Sequence, residues 1–174
     1  MLNARQIDLA VLFRTDAARR WSVLPLLDER LFVIGLEGLP CLPTQRRVRL
    51  ERLGDLPLLL PSGPHGLRAT IDAAFAAAGL RPTVVGEIDS LAVLMDAVRA
   101  GLGATIQPGA ATARVDDPRL VLREVANAPA FRPNLLASVS DDELSPAGLA
   151  ARVVIADVAR ALVQEGRWPG ATLA

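Results

Sequence analysis

Hydrophobic positions along this chain form short apolar runs that alternate with longer segments of helical spacing. Residues 7–13, 57–61 and 81–88 are brief apolar runs, a pattern typical of buried strands. Between the last two, Leu67 and Ile71 begin a series of apolar residues at helical spacing, which ends at a glycine. Strands that alternate with helices predict an α/β fold with mostly parallel sheets.

Local signals predict where other elements begin and end. The charged triplet at residues 28–30, DER, predicts a turn between two apolar strands. Asp89 or Ser90 is an N-cap for a second helix, and Ser145 caps a long final helix with a proline in its first turn. Because no long linker divides the sequence, an arrangement of two lobes requires the chain to cross between them.

The balance of charge limits which partners the chain can bind. The 19 basic residues, all arginine, equal the 19 acidic residues, and a net charge of zero argues against a nucleic-acid-binding surface. One cysteine excludes an internal disulfide, and one cysteine with one histidine excludes a Cys₄ or Cys₂His₂ zinc site. No apolar run reaches the length of a membrane span, and the first residues lack signal-peptide features. We therefore expect a soluble, cytoplasmic protein without a metal or cofactor.

The stretch PSGPHGLRATIDAAF sets two glycines, a serine and the only histidine directly before a helical run. Gly63 and Gly66 can take positive φ and let a ligand approach the backbone closely. The start of a helix favours an anion, and Arg68 adds donors for a carboxylate. These features predict an anion site, whereas the alternative is a stiff turn in which Ser62 is a cap and His65 lies at the surface.

Two later segments add candidate ligand contacts. In open α/β sheets, ligands bind outside the carboxyl ends of the strands, and Ser90 follows a predicted strand. Helix capping explains Asp89 and Ser90 equally well, and we favour capping for Asp89. Thr105 and Gln107 alternate with apolar residues, so both lie on one face of a strand, which either lines a cleft or is exposed to solvent. No nucleophile–base pair accompanies these residues, so we expect a protein that is not an enzyme.

Several segments, in this order, resemble the effector-binding domain of LysR-type transcriptional regulators. They are IDLAVL, PLLDERLFVIG, the run from LGDLPLLLPSGPHGLRATIDAAF to GLGATIQPGAA, LSPAGLAAR and LVQEGRWPG, and they span nearly the whole chain. The blocks PSGPHGLR and GRWPG resemble the branch that includes regulators of nitrogen and sulfur assimilation. The resemblance implies two Rossmann-like lobes of the periplasmic-binding-protein type II kind, with the effector between them.

The resemblance also implies how the chain divides. Residues 29–130 are expected to form lobe II, and residues 1–28 with 131–174 a partial lobe I. The helix-turn-helix DNA-binding domain and the first half of lobe I precede this segment in the family. We therefore expect an N-terminally truncated domain, whose Met1 is a fragment boundary or a misassigned start. Residues 7–13 would then expose an apolar edge, which predicts oligomerisation or a rearranged lobe I.

These observations lead to one hypothesis about function. The chain senses a small, anionic effector and, in the full-length protein, controls the conformation of a DNA-bound oligomer. DNA is contacted only through a domain outside this chain, and no membrane is involved. The alternative is a solute-binding module unrelated to transcription. The residues predicted to contact the effector are Ser62, Gly63, His65, Gly66, Arg68, Ser90, Thr105 and Gln107.

Overall fold

Strands and helices alternate along the chain, as the hydrophobic pattern predicts. The computed structural model describes residues 2, 4, 6–13, 21–63, 66–113, 117–126, 131–140 and 142–174. Short 3-10 helices cover Leu50–Arg52 and Gly109–Thr112. The strands and α-helices of the described residues are β1 (Ala10–Leu12), β2 (Ser22–Leu36), β3 (Arg47–Val48), β4 (Leu58–Leu60), α1 (Gly66–Ala77), β5 (Val84–Glu87), α2 (Leu91–Arg99), β6 (Thr105–Pro108), β7 (Leu120–Val125), β8 (Phe131–Ser138), α3 (Pro146–Gln164) and β9 (Ala171–Leu173).

The chain forms two compact units. The terminal unit comprises Met1–Glu29 and Arg132–Ala174, and the central unit comprises Arg30–Phe131. The chain therefore leaves the terminal unit along β2 and returns to it along β8. The lobe boundaries expected from the resemblance differ from these limits by one residue at each crossing.

The central unit contains a sheet that is parallel apart from β2. Strand β4 is parallel to β5, and a parallel bridge between Leu58 and Ala104 joins β4 to the start of β6. Strands β6 and β7 are each antiparallel to β2, and β3 is parallel to β7. The order across the sheet is therefore β5-β4-β6-β2-β7-β3.

Both faces of this sheet are buried. Leu58 and Leu60 pack with Phe75 of α1 in one core cluster, whereas Leu59 packs with Met95 of α2 in another. Successive side chains of a strand point to opposite faces, so β4 contacts a helix on each side. This explains why β4 is a continuous apolar run rather than an alternating one.

The terminal unit is built differently. The order of its strands is β1-β8-β2-β9, with β1 antiparallel to β8 and β9 antiparallel to β2. The prediction of mostly parallel sheets is therefore wrong for the β1–β8 and β2–β9 pairs of this unit. Helix α3 begins at its predicted cap, because the Ser145 hydroxyl accepts a hydrogen bond of 3.1 Å from the Gly148 amide.

Apolar side chains of the terminal unit are exposed along β1 and α3. On β1, Val11 is 44% exposed, and the following Phe13 is 40% exposed. A cavity of about 260 Å³ lies between β1, β2 and α3. The exposed apolar side chains of α3 are Leu149, Val153, Val154, Ile155 and Val158. Within the described residues, none of the helices is both long and apolar enough to cross a bilayer.

The turn predicted at residues 28–30 is wrong. Strand β2 continues through these residues for 15 positions, from Ser22 to Leu36. Glu29 is 1% exposed rather than solvated, and side chains distant in sequence donate hydrogen bonds to its carboxylate. A buried charge is tolerated where such partners surround it, so the charged triplet does not require a turn. Strand β9 has no counterpart among the predicted elements.

Candidate functional site

The carboxyl ends of β4 and β5 meet at one edge of the central sheet. Ser62 follows β4 and Asp89 follows β5. The Ser62 amide donates to Asp89 Oδ1 at 2.9 Å, and the Ser62 hydroxyl donates to Oδ2 at 3.0 Å. Two loops that are separated in sequence are therefore joined through one carboxylate.

This edge includes a topological switch point. The chain passes from β4 outward to β5 through α1, and back across β4 to β6 through α2. The strand order consequently reverses between β4 and β6. In open α/β sheets, the crevice at the carboxyl ends of such strands is where ligands bind. The geometry thus favours a binding site above β4 and β6.

Gly63, which precedes α1, and Gly66, its first residue, leave open space beside the backbone. A Cβ atom added at Gly63 or Gly66 would meet none of the described residues within 4 Å. The positive φ considered for these two glycines is not found at either one, so neither is needed for a left-handed conformation. Their contribution is the space they leave around the start of α1. His65 lies outside the described residues.

The Arg68 guanidinium is bonded to acidic groups of the chain itself. Nη1 donates to Glu87 Oε1 at 2.6 Å and to the Pro61 carbonyl at 3.0 Å, and Nε donates to the Asp72 carboxylate at 3.0 Å. The hydrogen bond to Glu87 is the largest cause that raises the pKa of Arg68, burial opposes it, and Asp72 adds to the rise. Arg68 thus fastens the first turn of α1 to β5 and to the end of β4.

The two candidate caps of α2 have different roles. Ser90 is the N-cap residue, and its hydroxyl accepts a long hydrogen bond of 3.5 Å from the Val93 amide. Asp89, which we favoured as the cap, instead reaches across to Ser62. Ser90 rather than Asp89 is therefore the residue that caps α2.

Thr105 and Gln107 are buried, which rules out an exposed strand face. Thr105 is 0% exposed and Gln107 is 5% exposed. Thr105 pairs with Ile34, and its hydroxyl oxygen has no hydrogen-bond partner among the described residues. The bridge between Leu58 and Ala104 places Thr105 level with the middle of β4 and Gln107 nearer the carboxyl end. Thr105 therefore lies deeper in the sheet than the other candidates.

The structure has a cavity beside α2 that was not predicted from the sequence. It has a volume of about 500 Å³ and lies between α2 and the 3-10 helix that follows β6. Its wall includes the charged pair Asp96 and Arg99, whose side chains are 3.4 Å apart. The signal in the sequence is the run of small residues after β6, GAATA, which leaves room beside a helix.

The fold and these strand-end loops define an α/β protein of the periplasmic-binding type. The family model described as "LysR substrate binding domain" matches residues 1–162, and the chain belongs to that family. This confirms the resemblance noted in the sequence.

Individual proteins agree with this assignment. The nitrogen assimilation regulatory protein nac of Escherichia coli (strain K12) is 30% identical over 141 residues, covering 75% of this chain and 45% of that protein. The regulatory domain of CcmR from Synechocystis PCC6803, solved with 2-PG, has a TM-score of 0.79 at 17% identity, covering 91% of this chain and 76% of that one. The effector binding domain of QuiR, solved with shikimate, has a TM-score of 0.75 at 21% identity, covering 91% and 75%. These likenesses confirm the predicted two-lobe α/β fold class.

The chain is shorter than the proteins it resembles. It spans 35–51% of the length of four curated relatives, all of which are named as regulators. Those names describe regulators rather than enzymes.

Proposed function

We propose that this chain senses a small-molecule effector as the regulatory domain of a LysR-family transcription regulator. The observation that carries the proposal is the meeting of the β4 and β5 carboxyl ends at a switch point, within a chain of this family. Similar domains solved with 2-PG and with shikimate support it. DNA binding belongs, in this proposal, to a helix-turn-helix domain outside the chain, in a cytoplasmic protein.

The start of α1 is the proposed seat for an anionic group of the effector. Backbone N–H groups at a helix N-terminus favour negative charge, and Gly63 and Gly66 leave space for it. His65 and Ser90 are the proposed neighbours of this group, and Thr105 with Gln107 would contact the buried part of the effector.

The acidic groups near the seat assign different roles to Ser62 and Arg68. The Asp89 carboxylate already accepts from both donors of Ser62, so an effector anion would either replace it there or bind beside it. Arg68 is bonded to Glu87 and Asp72, and we assign it to positioning the first turn of α1. Its effect on binding is then indirect.

Added bulk at Gly66 tests the proposed seat. A methyl group from Gly66→Ala enters open space, so the fold tolerates it while the approach of a ligand to the backbone is obstructed. A thermal-shift screen of small carboxylates and oxyanions supplies the ligand, and calorimetry compares variants. We expect at least about a tenfold weaker affinity for Gly66→Ala, roughly 1.4 kcal/mol. The matched control is Gly54→Ala, which also adds a methyl group to open space, but before β4.

Equal affinity of both variants for the ligand would contradict this seat. Binding that is lost in Arg68→Ala but kept in Gly66→Ala would contradict the positioning role, since Arg68 would then be the direct contact.

We also propose that copies of the chain associate through the apolar surface of the terminal unit. Val11 on one side of the cavity and Val154 and Val158 on the other are exposed together, and Phe13, which follows β1, is also exposed. An edge strand beside an exposed apolar helix is a surface that proteins cover by association. The occupant that we propose is a second copy of this chain.

A further inference from the structure

One buried carboxylate of the terminal unit is surrounded by donors from three separate segments. Glu29 Oε2 accepts hydrogen bonds from Arg132 Nε at 3.1 Å, Arg132 Nη2 at 2.6 Å and Asn134 Nδ2 at 2.9 Å. Glu29 Oε1 accepts from the indole N–H of Trp168 at 2.8 Å. With Glu29 1% exposed and the Arg132 side chain 16% exposed, the ion pair is largely shielded from water.

The residues of this cluster lie where the chain crosses between units. Glu29 is the last residue of the terminal unit before the chain departs, and Arg132 is the first after it returns. Arg132 and Asn134 are two apart on β8, so their side chains lie on one face of that strand. Trp168 precedes β9, which pairs with β2 on its other side. The cluster therefore ties both crossings and the C-terminal strand together.

Arg132 also reaches the end of β1. Its guanidinium carbon lies 4.0 Å from the centroid of the Phe13 ring, the geometry of a cation–π contact. The cluster consequently includes a residue beside each strand of the unit, in the order β1, β8, β2 and β9.

Stability alone does not explain this arrangement. Burying a carboxylate and a guanidinium costs desolvation energy, and apolar residues of similar volume often stabilise a fold as well or better. The polar cluster adds a geometric constraint, because each of its hydrogen bonds forms only in one relative placement of the strands.

We propose that Glu29 is a positioning residue, which clamps the two crossings together at the limit of the terminal unit. This inference rests on the proposed sensing function: in such a protein, bending caused by an effector is limited to the part of the chain outside the clamp. The clamp keeps such bending from entering β2 and β8 of the terminal unit.

Backbone hydrogen exchange of the ligand-free chain tests the clamp. Glu29→Gln removes the charge and keeps one acceptor oxygen, so its NH₂ group must face a donor, either the Trp168 indole or those of Arg132 and Asn134. We expect exchange at least about tenfold faster for the amides of residues 27–30 and of Phe131, Arg132 and Asn134, with exchange in α1 and β4 unchanged. The matched control is Asp157→Asn, which removes an exposed ion pair with Arg160 on α3 of the same unit, and which should leave both segments unchanged.

A uniform rise across both units would overturn the proposal, because it indicates only a loss of global stability. No change in either crossing would overturn it as well. If Glu29→Gln does not fold, Trp168→Phe removes one donor and should give a smaller rise in the same two segments; no rise there is equally contradictory. Since no ligand is present, a failure of effector binding does not alter these outcomes.

Discussion

The two units of this chain stabilise their sheets in different ways. The central unit has a core on each face of its sheet, and side chains such as Phe75 and Leu94 are 0% and 1% exposed. The terminal unit holds its strands with a buried polar cluster around Glu29, while α3 leaves large apolar side chains exposed. The central unit exposes single large apolar side chains on several elements, such as Val85, Leu91 and Leu102, whereas those of the terminal unit are concentrated on α3 and beside β1.

The comparison is tested most strongly by truncating one apolar side chain in each unit. Phe75→Ala empties a fully buried site in the central unit and should lower the free energy of unfolding by about 3–5 kcal/mol. Val153→Ala, at a position 60% exposed on α3, should change it by less than about 0.5 kcal/mol. Urea denaturation followed by circular dichroism measures both. A loss above about 2 kcal/mol for Val153→Ala would indicate that α3 is already covered.

Self-association of the chain is a second property in which we expect the two units to differ. Val154→Arg and Val158→Arg place charge on the proposed contact surface, at positions 59% and 51% exposed. We expect each to shift the protein toward monomer in light scattering, with little change in thermal unfolding. Ala73→Arg, on the exposed side of α1, is the matched control and should leave the molecular mass unchanged. A wild-type chain that is monomeric at high concentration contradicts the proposed contact.

The sequence predicts those features of the fold that neighbouring residues determine, and it does not predict those that depend on distant residues. Strand β4 is bounded by prolines, and α2 and α3 have capping serines at their first turns, so their limits follow from neighbouring residues. Glu29 appeared to be part of a turn because its main partner, Arg132, lies 103 residues away. Charge patterning over a short window cannot include that partner.

Interactions at the candidate site are likewise either local in sequence or dependent on the pairing of distant strands. The i,i+4 spacing of Arg68 and Asp72, typical of an ion pair on a helix, is visible in the sequence, but the motif around Arg68 predicted a contact with the effector instead. The bond from Arg68 to Glu87 depends on the pairing of β4 with β5, and so does the bond from Ser62 to Asp89. Sequence reasoning thus located the strand-end loops but not which of their donors are already engaged.

The smallest expected effect concerns acid stability of the central unit. Hydrogen bonds from the Arg119 side chain and then from its backbone amide hold the pKa of Asp117 well below its usual range. Because the folded-state pKa is lowered, Asp117 contributes stability above its unfolded value of about 3.9, and this contribution is lost as the pH falls further. Asp117→Asn should therefore be less stable than wild type at pH 7, and the difference should shrink between about pH 5 and pH 2.

Urea denaturation at several pH values measures that difference. The exposed Asp157→Asn, which removes an ion pair with Arg160 on α3, serves as the control for a solvated pair. A difference for Asp117→Asn that grows as the pH falls would reverse the sign of the argument.

Amide chemical-shift mapping tests the central claim most directly. In a ¹⁵N-labelled chain titrated with the strongest carboxylate or oxyanion found by thermal shift, the account predicts the largest changes at Ser62, Gly63 and Gly66. Largest changes in the cavity beside α2, around Leu91 and Ala111, with those three amides unmoved, would contradict it.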